Sequence, residues 1–196
     1  MPDSPTEFPP PPAAAAPAKA AVFLDRDGTL NAAVARGTAS GPPVAADEFQ
    51  LLPGVAEGCA RLKAAGYVLV VATNQPDVGR GTLAQAAVEA VHARLRTLLP
   101  IDRVEVSYDS GTEVPPSAFR KPAPGMLRRA ARELNLDLVR SWMVGDRWRD
   151  VDCGRNAGCR TIFIDPDGAG TLRARPDFIV RSFAEAVGLI LRERRG

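Results

Sequence analysis

The sequence predicts an α/β fold in which a parallel sheet carries helices on both faces. From Ala20 onward, segments with strand character alternate with segments that have helical spacing. One predicted strand, Tyr67–Ala72, is a continuous run of apolar and β-branched residues, as is typical of a strand buried on both faces. Alternation of this kind predicts parallel strands joined by right-handed helical crossovers.

Most of the helices have a local signal at their start or end. Gly66 ends the first helix as a C-cap, Thr82 opens the second as an N-cap, and Pro100 ends it. Pro124 opens the third helix, because proline suits the first helical position. The predicted strands are Ala20–Leu24, Tyr67–Ala72, Val104–Tyr108, Ser141–Val144, Arg160–Ile164 and Phe178–Val180, and the predicted helices are Val55–Ala65, Thr82–Leu99, Pro124–Leu134, Arg149–Ala157 and Ala184–Arg192.

Size and composition indicate one folded domain with an extension. The chain has 196 residues, of which 45% are hydrophobic and 24% are charged, as in an ordinary soluble protein. Residues 1–19 are dominated by proline and alanine, so we expect a disordered tail there and a single domain over residues 20–196. Asn31–Asp47 and Asp109–Lys121 are expected to be long loops, either functional or disordered. Neither is long enough for a second domain.

Charge and cysteine content exclude several classes of partner. The net charge of +2 argues against nucleic-acid binding driven by bulk charge. No apolar run is long enough to span a membrane, and the N-terminus does not resemble a signal peptide. The three scattered cysteines form neither a disulfide framework nor paired zinc ligands, so we expect reduced thiols in a cytoplasmic protein. The lack of a long apolar run leads us to expect no membrane partner.

A pair of carboxylates follows the first predicted strand. Asp25 and Asp27 stand one residue apart, directly after the apolar strand and before Gly28 and Thr29. Ligands bind at the carboxyl ends of parallel strands, so this position predicts an active site. Two such acids can bind a hard cation, or divide the work of nucleophile and acid/base. The alternative is a capped turn in which Asp27 and Thr29 bond to local backbone and Asp25 is solvated.

Three further polar clusters are expected at the same edge of the sheet. Each of them follows a predicted strand or precedes a predicted helix, and the carboxyl ends of parallel neighbouring strands meet at one edge. They are Thr73-Asn74-Gln75, Arg120-Lys121-Pro122 and the segment from Gly145 to Asp150. A hydroxyl, a lysine and further acids beside a carboxylate pair predict a site for a phosphate group and a metal cation.

Taken in order, these four segments resemble the motifs of the haloacid dehalogenase-like (HAD) phosphatase superfamily, from about Ala20 to Asp165. The resemblance implies a three-layer Rossmann-like arrangement of the α/β fold. It also implies hydrolysis of phosphomonoesters through an aspartyl-phosphate intermediate. Splitting the reaction in this way avoids bringing water and ester together in a single step.

The resemblance assigns a role to each polar residue of the motifs. Asp25 is the expected nucleophile and Asp27 the expected acid/base. Mg²⁺ is the expected cofactor, because carboxylates with room for waters suit it and because a phosphate dianion repels a carboxylate nucleophile. Thr73 and Lys121 are expected to contact the transferring phosphoryl group. The Asp25 carboxylate, the Asp27 backbone carbonyl and Asp146 are expected to bind Mg²⁺, with Asp150 behind these ligands. From its position before the next helix, Asp146 is also expected to cap that helix.

Within the superfamily, the motifs resemble the branch that contains heptose-bisphosphate and histidinol-phosphate phosphatases. That branch has no large cap domain. It implies that Asn74 contacts the transferred phosphate and that Arg120 contacts the distal end of the substrate, with Arg80 and Arg147 as further anion contacts. These arginines favour a small phosphorylated metabolite, namely a sugar bisphosphate, over histidinol phosphate, which remains the alternative. We expect a monomer.

Two other functions are compatible with the fold. A nucleic-acid 3′-phosphatase is disfavoured by the near-neutral charge and by the lack of a basic, aromatic-rich stripe. A non-catalytic binding protein that uses the same fold would be expected to have lost the nucleophile or the acid, whereas both Asp25 and Asp27 are present.

Two observations concern metal ligands other than carboxylates. Many members of this branch bind a structural Zn²⁺ through Cys and His residues in the loop before the Arg-Lys-Pro motif. Here that loop, Ser107–Phe119, contains neither residue type, so no Zn²⁺ is expected. The lone histidine, His92, lies in a predicted helix far from every motif and is expected to be a surface or packing residue.

Overall fold

The computed structural model of the protein describes residues 17–194. The predicted tail therefore lies outside the described residues, except for positions 17–19. Lys19 is bound to the folded chain, because its N–H donates to the Asn135 carbonyl at 3.0 Å and its carbonyl accepts from the Asp137 N–H at 2.9 Å. Lys19 is therefore joined to the folded chain just before the first strand.

Eight strands and six α-helices occupy the described residues, together with one 3-10 turn at Ala46–Glu48. The strands are β1 (Ala21–Leu24), β2 (Val34–Arg36), β3 (Ala39–Gly41), β4 (Val68–Asn74), β5 (Arg103–Ser107), β6 (Trp142–Gly145), β7 (Arg160–Ile164) and β8 (Phe178–Val180). The helices are α1 (Val55–Ala64), α2 (Pro76–Gly79), α3 (Gln85–Leu98), α4 (Gly125–Leu134), α5 (Trp148–Ala157) and α6 (Phe183–Glu193).

The main sheet has six parallel strands in the order β5-β4-β1-β6-β7-β8. The chain moves from β1 through β4 to β5, and then returns to the other side of β1 to form β6, β7 and β8. Such a reversal leaves a crevice at the carboxyl ends of the strands on either side of it, where ligands bind in open α/β sheets. Asp25 follows β1 and Asp146 follows β6, so the topology brings these two acids to that crevice.

Buried side chains cover both faces of the sheet. On one face, Val22 and Leu24 of β1 pack in a cluster with residues of α1, α3 and α6. On the other face, Ala21 and Phe23 pack with residues of α4 and α5. All four residues of β1 are fully buried, as expected of a central strand with helices on both sides. The predicted three-layer α/β fold is confirmed.

One predicted loop contains secondary structure of its own. β2 and β3 pair antiparallel, with Val34 opposite Gly41, and Gly37 turns between them at φ +64°. The sequence did not predict this hairpin, because its strands have three residues each and are largely exposed, so they lack an alternating apolar pattern. Within residues 17–194, the segments between β1 and α1 and between β5 and α4 are too small to form a large cap.

The second predicted helix starts later than its capping signal indicated. α3 begins at Gln85 with Ala84 as its N-cap, rather than at Thr82. The Thr82 hydroxyl instead donates to the Asp77 carbonyl at 3.1 Å. It thereby closes the turn after α2, a four-residue helix that the sequence analysis did not predict.

The three cysteines are buried and unpaired. Burial raises the pKa of each thiol to about 12, so all three are protonated and unreactive near neutral pH. Across residues 17–194, no helix combines the length and the apolar character needed to cross a bilayer.

The packing of α3 gives a test of the core. Leu95 is fully buried against the sheet, and Leu95→Ala is expected to lower the free energy of unfolding by about 2–5 kcal/mol, because it leaves a cavity. The exposed neighbour Arg94 is the control, and Arg94→Ala is expected to stay within about 0.5 kcal/mol of the parent. Urea unfolding measures both, and equal losses would contradict this packing.

Candidate active site

The ammonium group of Lys121 lies at the centre of the site. It donates to Asp25 Oδ1 at 2.7 Å and to the backbone carbonyl of Ala72 at 2.7 Å. It also pairs with Asp150 Oδ1 at 2.6 Å. Lys121 is 3% exposed, and a buried cation requires such partners. One side chain therefore joins the end of β1, the strand β4 and the first turn of α5.

The same contacts set the charges of these groups. Burial and the neighbouring Asp150 carboxylate raise the pKa of Asp25 to about 7, although Lys121 opposes the rise. Burial acts against the charge of Lys121, but the carboxylates of Asp150 and Asp25 outweigh it and raise the pKa of the amine. Lys121 is therefore cationic at neutral pH, while Asp25 is poised between its two protonation states.

Three carboxylates form an acidic cluster beside this lysine. One oxygen from each of Asp25, Asp146 and Asp150 lies within 4.8 Å of the others. Burial and the Asp150 carboxylate raise the pKa of Asp146, while Arg147 opposes this from 3.2 Å. Among the described residues, the buried Oδ1 of Asp146 has no hydrogen-bond partner. Three carboxylates that crowd together, one of them with an unpaired buried oxygen, suit a hard divalent cation, which prefers oxygen ligands.

Gly28 allows the two motifs to approach each other. It has φ +88°, and a Cβ built on it would lie 2.3 Å from Asp146 Oδ2. Any larger residue would therefore clash with the acid as well as strain the backbone. Glycine at this position brings the turn after Asp27 into contact with the loop after β6.

The start of α5 differs from the prediction. Asp146 was expected to cap this helix, but the N-cap is Arg147. The capping acceptor is Asp150, whose Oδ2 accepts from the Arg147 N–H at 3.0 Å. Because the helix begins at Trp148, Asp146 lies one residue too early to cap it, and its carboxylate remains available to the acidic cluster.

Asp27 is held by a ring of side-chain donors. Arg26 Nε and Asn31 Nδ2 each donate to its Oδ1 at 3.1 Å. Arg26 Nη2 and Gln75 Nε2 donate to its Oδ2 at 2.9 and 2.8 Å. These partners, together with the burial of Asp25, which is 7% exposed, contradict the alternative of a locally capped, solvated turn.

The residues after β4 connect the motifs. The Gln75 amide donates to the Thr73 hydroxyl at 3.0 Å as well as to Asp27. The Asn74 amide is engaged on both sides, because its Oδ1 accepts from the Lys121 N–H at 3.0 Å and its Nδ2 donates to the Lys121 carbonyl at 3.1 Å. Asn74 thereby fixes the backbone that carries the central lysine.

Two cavities open at this edge of the sheet. One, of about 320 Å³, is lined by the predicted catalytic residues together with Asn74, Arg147 and Arg149. The other, of about 360 Å³, is lined by Arg120 and by residues of the segment 111–123. Lys121 and Arg149 line both cavities. A ligand with two anionic ends could therefore extend from one cavity into the other.

Arg120 and Arg149 line these cavities, and Arg80 is near enough to act electrostatically on Arg120. Burial lowers the pKa of Arg120, and the nearby charges of Arg149 and Arg80 lower it further. Arg120 also donates to the Asp109 carbonyl at 2.8 Å, and Arg80 pairs with Asp77 at 3.3 Å. Because these arginines repel one another, an anion bound among them would be stabilised.

Hydrogen bonds to side-chain oxygen atoms hold the loop before Lys121 in shape. Asp109 Oδ2 accepts from the Ser107 hydroxyl at 2.8 Å and from the Ser117 hydroxyl. Ser117 Oγ in turn accepts from the N–H groups of Phe119 and Arg120, at 3.1 and 3.2 Å. These bonds give the loop a defined shape directly beside the Arg120 cavity.

A third cavity, of about 420 Å³, lies at the opposite edge of the sheet. Its lining includes Lys19, Tyr67, Trp142 and Arg160 but none of the predicted site residues. Arg160 stacks over Trp142 at 4.1 Å and pairs with Glu193 at 2.8 Å, so its charge is already engaged. This cavity is therefore separate from the candidate site.

The structure gathers the predicted catalytic and metal-binding residues, with Asn74, Arg120 and Arg147, at the carboxyl edge of the sheet. Arg80 lines neither cavity there and pairs with Asp77 instead.

The structure also adds residues that sequence reasoning missed. Arg149 gave no signal of its own, because a basic residue in a first helical turn is usually a solvated one. His92 was expected to lie far from every motif. It is buried, as a packing residue would be, but its ring contacts Arg26 at 3.1 Å, beside the first motif.

Known proteins share both the sequence and the fold. Residues 118–186 match the HAD-hydrolase-like family model. The chain is 38% identical over 188 residues to D-glycero-D-manno-heptose-1,7-bisphosphate 7-phosphatase of Thermosynechococcus vestitus, covering 85% of this chain and 93% of that protein. It is 34% identical over 151 residues to D-glycero-beta-D-manno-heptose-1,7-bisphosphate 7-phosphatase of Pseudomonas aeruginosa, covering 73% and 79%.

A solved structure agrees with these relatives. The crystal structure of D,D-heptose 1,7-bisphosphate phosphatase from B. bronchiseptica, complexed with magnesium and phosphate, matches this fold with a TM-score of 0.76. The two chains are 29% identical, and the match covers 89% of this chain and 99% of that one.

The fold and the site define a HAD-like phosphatase, an enzyme that hydrolyses phosphomonoesters. The chain belongs to the same family as the heptose-bisphosphate phosphatases that it resembles, and the predicted family is confirmed.

The raised pKa of Asp25 gives a test in the absence of metal. The folded protein binds this proton more tightly than the unfolded chain does, so the acid makes folding less favourable as the pH rises from about 4 to about 7. In EDTA at pH 8, Asp25→Asn is therefore expected to be more stable than the parent, by on the order of 1 kcal/mol or more. This difference should shrink at pH 5.

Urea unfolding at the two pH values measures the effect. The control is Asp167→Asn, because Asp167 is exposed, and it should follow the parent at both pH values. A parent at least as stable as Asp25→Asn at pH 8 would show that Asp25 is not destabilised by its surroundings.

Proposed function

We propose that this protein is a Mg²⁺-dependent phosphomonoesterase in which Asp25 is the nucleophile and Asp27 the acid/base. The observation that carries the proposal is the Lys121 ammonium group, which contacts Asp25 at 2.7 Å inside an acidic cluster. A cation in this position lowers the repulsion between a carboxylate nucleophile and a phosphate dianion.

The reaction proceeds in two steps. In the first, an oxygen of Asp25 bonds to phosphorus while the bond from phosphorus to the ester oxygen breaks, and Asp27 gives a proton to the departing oxygen. In the second, Asp27 takes a proton from water as the water oxygen attacks phosphorus, which releases inorganic phosphate and restores the Asp25 carboxylate. Lys121 and Thr73 hold the phosphoryl oxygens through both steps.

Mg²⁺ is the cofactor that the residues fit. The Asp25 carboxylate, the Asp27 backbone carbonyl and Asp146 would hold it, and the unpaired Oδ1 of Asp146 supports this assignment. Asp150, which binds Lys121 and the start of α5, would support the ligands from behind. When bound, the ion supplies positive charge opposite the phosphoryl oxygens.

The proposed substrate is a heptose 1,7-bisphosphate, hydrolysed at the 7-phosphate. The names of the relatives support this substrate class, and so do the two cavities that share Lys121 and Arg149. Arg120, Arg149 and Arg80 would face the distal phosphate, while Asn74 keeps Lys121 in place and lies beside the transferred phosphate. Histidinol phosphate fits less well, because its ammonium group would meet the same arginines.

We further propose that the protein acts in the cytoplasm as a monomer, without nucleic-acid or membrane partners. The three unpaired, buried thiols support a reducing compartment. The large exposed apolar residues are few among the described residues, which supports a monomer, and they are Val114, Phe119, Val139 and Ile179. Sedimentation velocity tests the monomer, and a dimer at micromolar concentration would contradict it.

The proposed chemistry is tested with p-nitrophenyl phosphate. Asp25→Asn is expected to lower kcat by at least about 1,000-fold, since without the carboxylate no aspartyl-phosphate can form. EDTA should abolish turnover by the parent, and added Mg²⁺ should restore it. Turnover that survives Asp25→Asn would sink the mechanism.

The proposed substrate site is tested by Arg149→Ala. Loss of one charge-assisted hydrogen bond to the distal phosphate is expected to raise KM for heptose 1,7-bisphosphate about tenfold or more. KM for p-nitrophenyl phosphate should rise by a smaller factor, because this ester has no distal phosphate and meets Arg149 only in the cavity of the predicted catalytic residues. Arg140→Ala, at an exposed position on the opposite edge, is the control.

The same assay compares both anomers of heptose 1,7-bisphosphate with histidinol phosphate and fructose 1,6-bisphosphate. We expect kcat/KM to favour one heptose anomer by at least about tenfold. A preference for histidinol phosphate, or an equal KM effect of Arg149→Ala on every ester, would contradict the assignment.

A further inference from the structure

Arg26 is a fully buried cation with a defined set of partners. It is 0% exposed and is among the largest buried side chains of the protein. Its Nε and Nη2 grip the two oxygens of Asp27, in the bidentate geometry that fixes a carboxylate plane. Its remaining nitrogen, Nη1, points away from Asp27 and lies 3.1 Å from Nε2 of His92.

This contact determines the state of the histidine ring. Arginine has only donors, so His92 Nε2 accepts and the ring proton is on Nδ1. Nδ1 lies 3.7 Å from a carboxylate oxygen of Glu89. Burial, with the nearby charge of Arg26, lowers the pKa of His92 to about 4, although Glu89 opposes this and Arg96 adds to it. The ring is therefore neutral at pH 7 and can accept.

The chain of contacts continues on the far side of the ring. The Tyr108 hydroxyl, at the end of β5, donates to the other oxygen of Glu89. Glu89 and His92 both belong to α3, so this helix holds Arg26 from behind. His92 itself touches none of the proposed reacting groups.

We propose that His92 is a positioning residue for Asp27, acting through the hydrogen bond that its Nε2 accepts from Arg26. The inference rests on the acid/base role proposed for Asp27. If the acceptor is removed, one N–H group of a buried guanidinium has no partner, and Arg26 must shift to find another. Because Arg26 grips both oxygens of Asp27, the carboxylate shifts with it, away from the ester oxygen that it must protonate.

The test compares two phosphate esters that differ in their need for an acid. Phenoxide leaves with difficulty, since phenol has a pKa of about 10 as in tyrosine, whereas p-nitrophenoxide is a much weaker base. Because kcat/KM covers only the steps up to departure of the leaving group, it excludes the later hydrolysis of the aspartyl-phosphate. The ratio of the two kcat/KM values is also independent of the fraction of enzyme that is folded.

His92→Leu is expected to lower the ratio of phenyl to p-nitrophenyl phosphate about tenfold, a part of the 100-fold or more that acid catalysis contributes. His92→Gln, whose side-chain oxygen can occupy the position of Nε2, should restore the ratio to within about twofold of the parent. A merely structural role for His92 would lower both kcat/KM values equally and leave the ratio unchanged.

Asp27→Asn separates the two proposals. It should lower the same ratio at least as much as His92→Leu does. If the ratio falls in Asp27→Asn but not in His92→Leu, the positioning role is wrong and the acid role of Asp27 stands. If the ratio does not fall in Asp27→Asn, the proposed acid is wrong and the inference fails with it. Equal falls in His92→Leu and His92→Gln would also overturn the role of the Nε2 hydrogen bond.

Discussion

The arrangement of the site depends on the contacts of the Lys121 ammonium group. It joins Asp25 after β1, the Ala72 carbonyl of β4 and Asp150 of α5. Three elements that are distant along the chain therefore meet at one charge. A buried cation without these partners, or the carboxylates without the cation, would be destabilised by several kcal/mol. The charge that joins these elements thus lies inside the acidic cluster of the candidate site.

The site concentrates charge where the fold would be more stable without it. Asp25, Asp146 and Asp150 crowd their oxygens within 4.8 Å, with one ammonium group among them. Burial and mutual repulsion oppose ionisation, as the raised pKa values of Asp25 and Asp146 indicate. Such a cluster lowers the stability of the folded protein when no cation is bound, and a bound cation raises that stability. The apolar packing on both faces of the sheet supports this arrangement.

Sequence reasoning located most of the site because its polar residues interrupt apolar strands at their carboxyl ends, as Asp25 and Thr73 do. It could not find Arg149 or the contact between Arg26 and His92. An arginine in a helix gives no periodic signal, and a side-chain contact between residues 66 positions apart depends on tertiary packing. The N-cap of α5 was missed for a related reason, since arginine is not among the residues that prefer this position.

The loop before Lys121 differs from the rest of the site in the range of its contacts. Asp109 and Ser117 close it through partners at most 11 residues apart, whereas Lys121 reaches Asp25 across 96 positions. Contacts of short range close small loops at little entropic cost and can be exchanged without disturbing the sheet. Mutation of this loop can therefore change the shape of the cavity beside Arg120 without disturbing the contact between Lys121 and Asp25. In a protein built in this way, the ligand bound beside Arg120 can change while the residues around Lys121 stay the same.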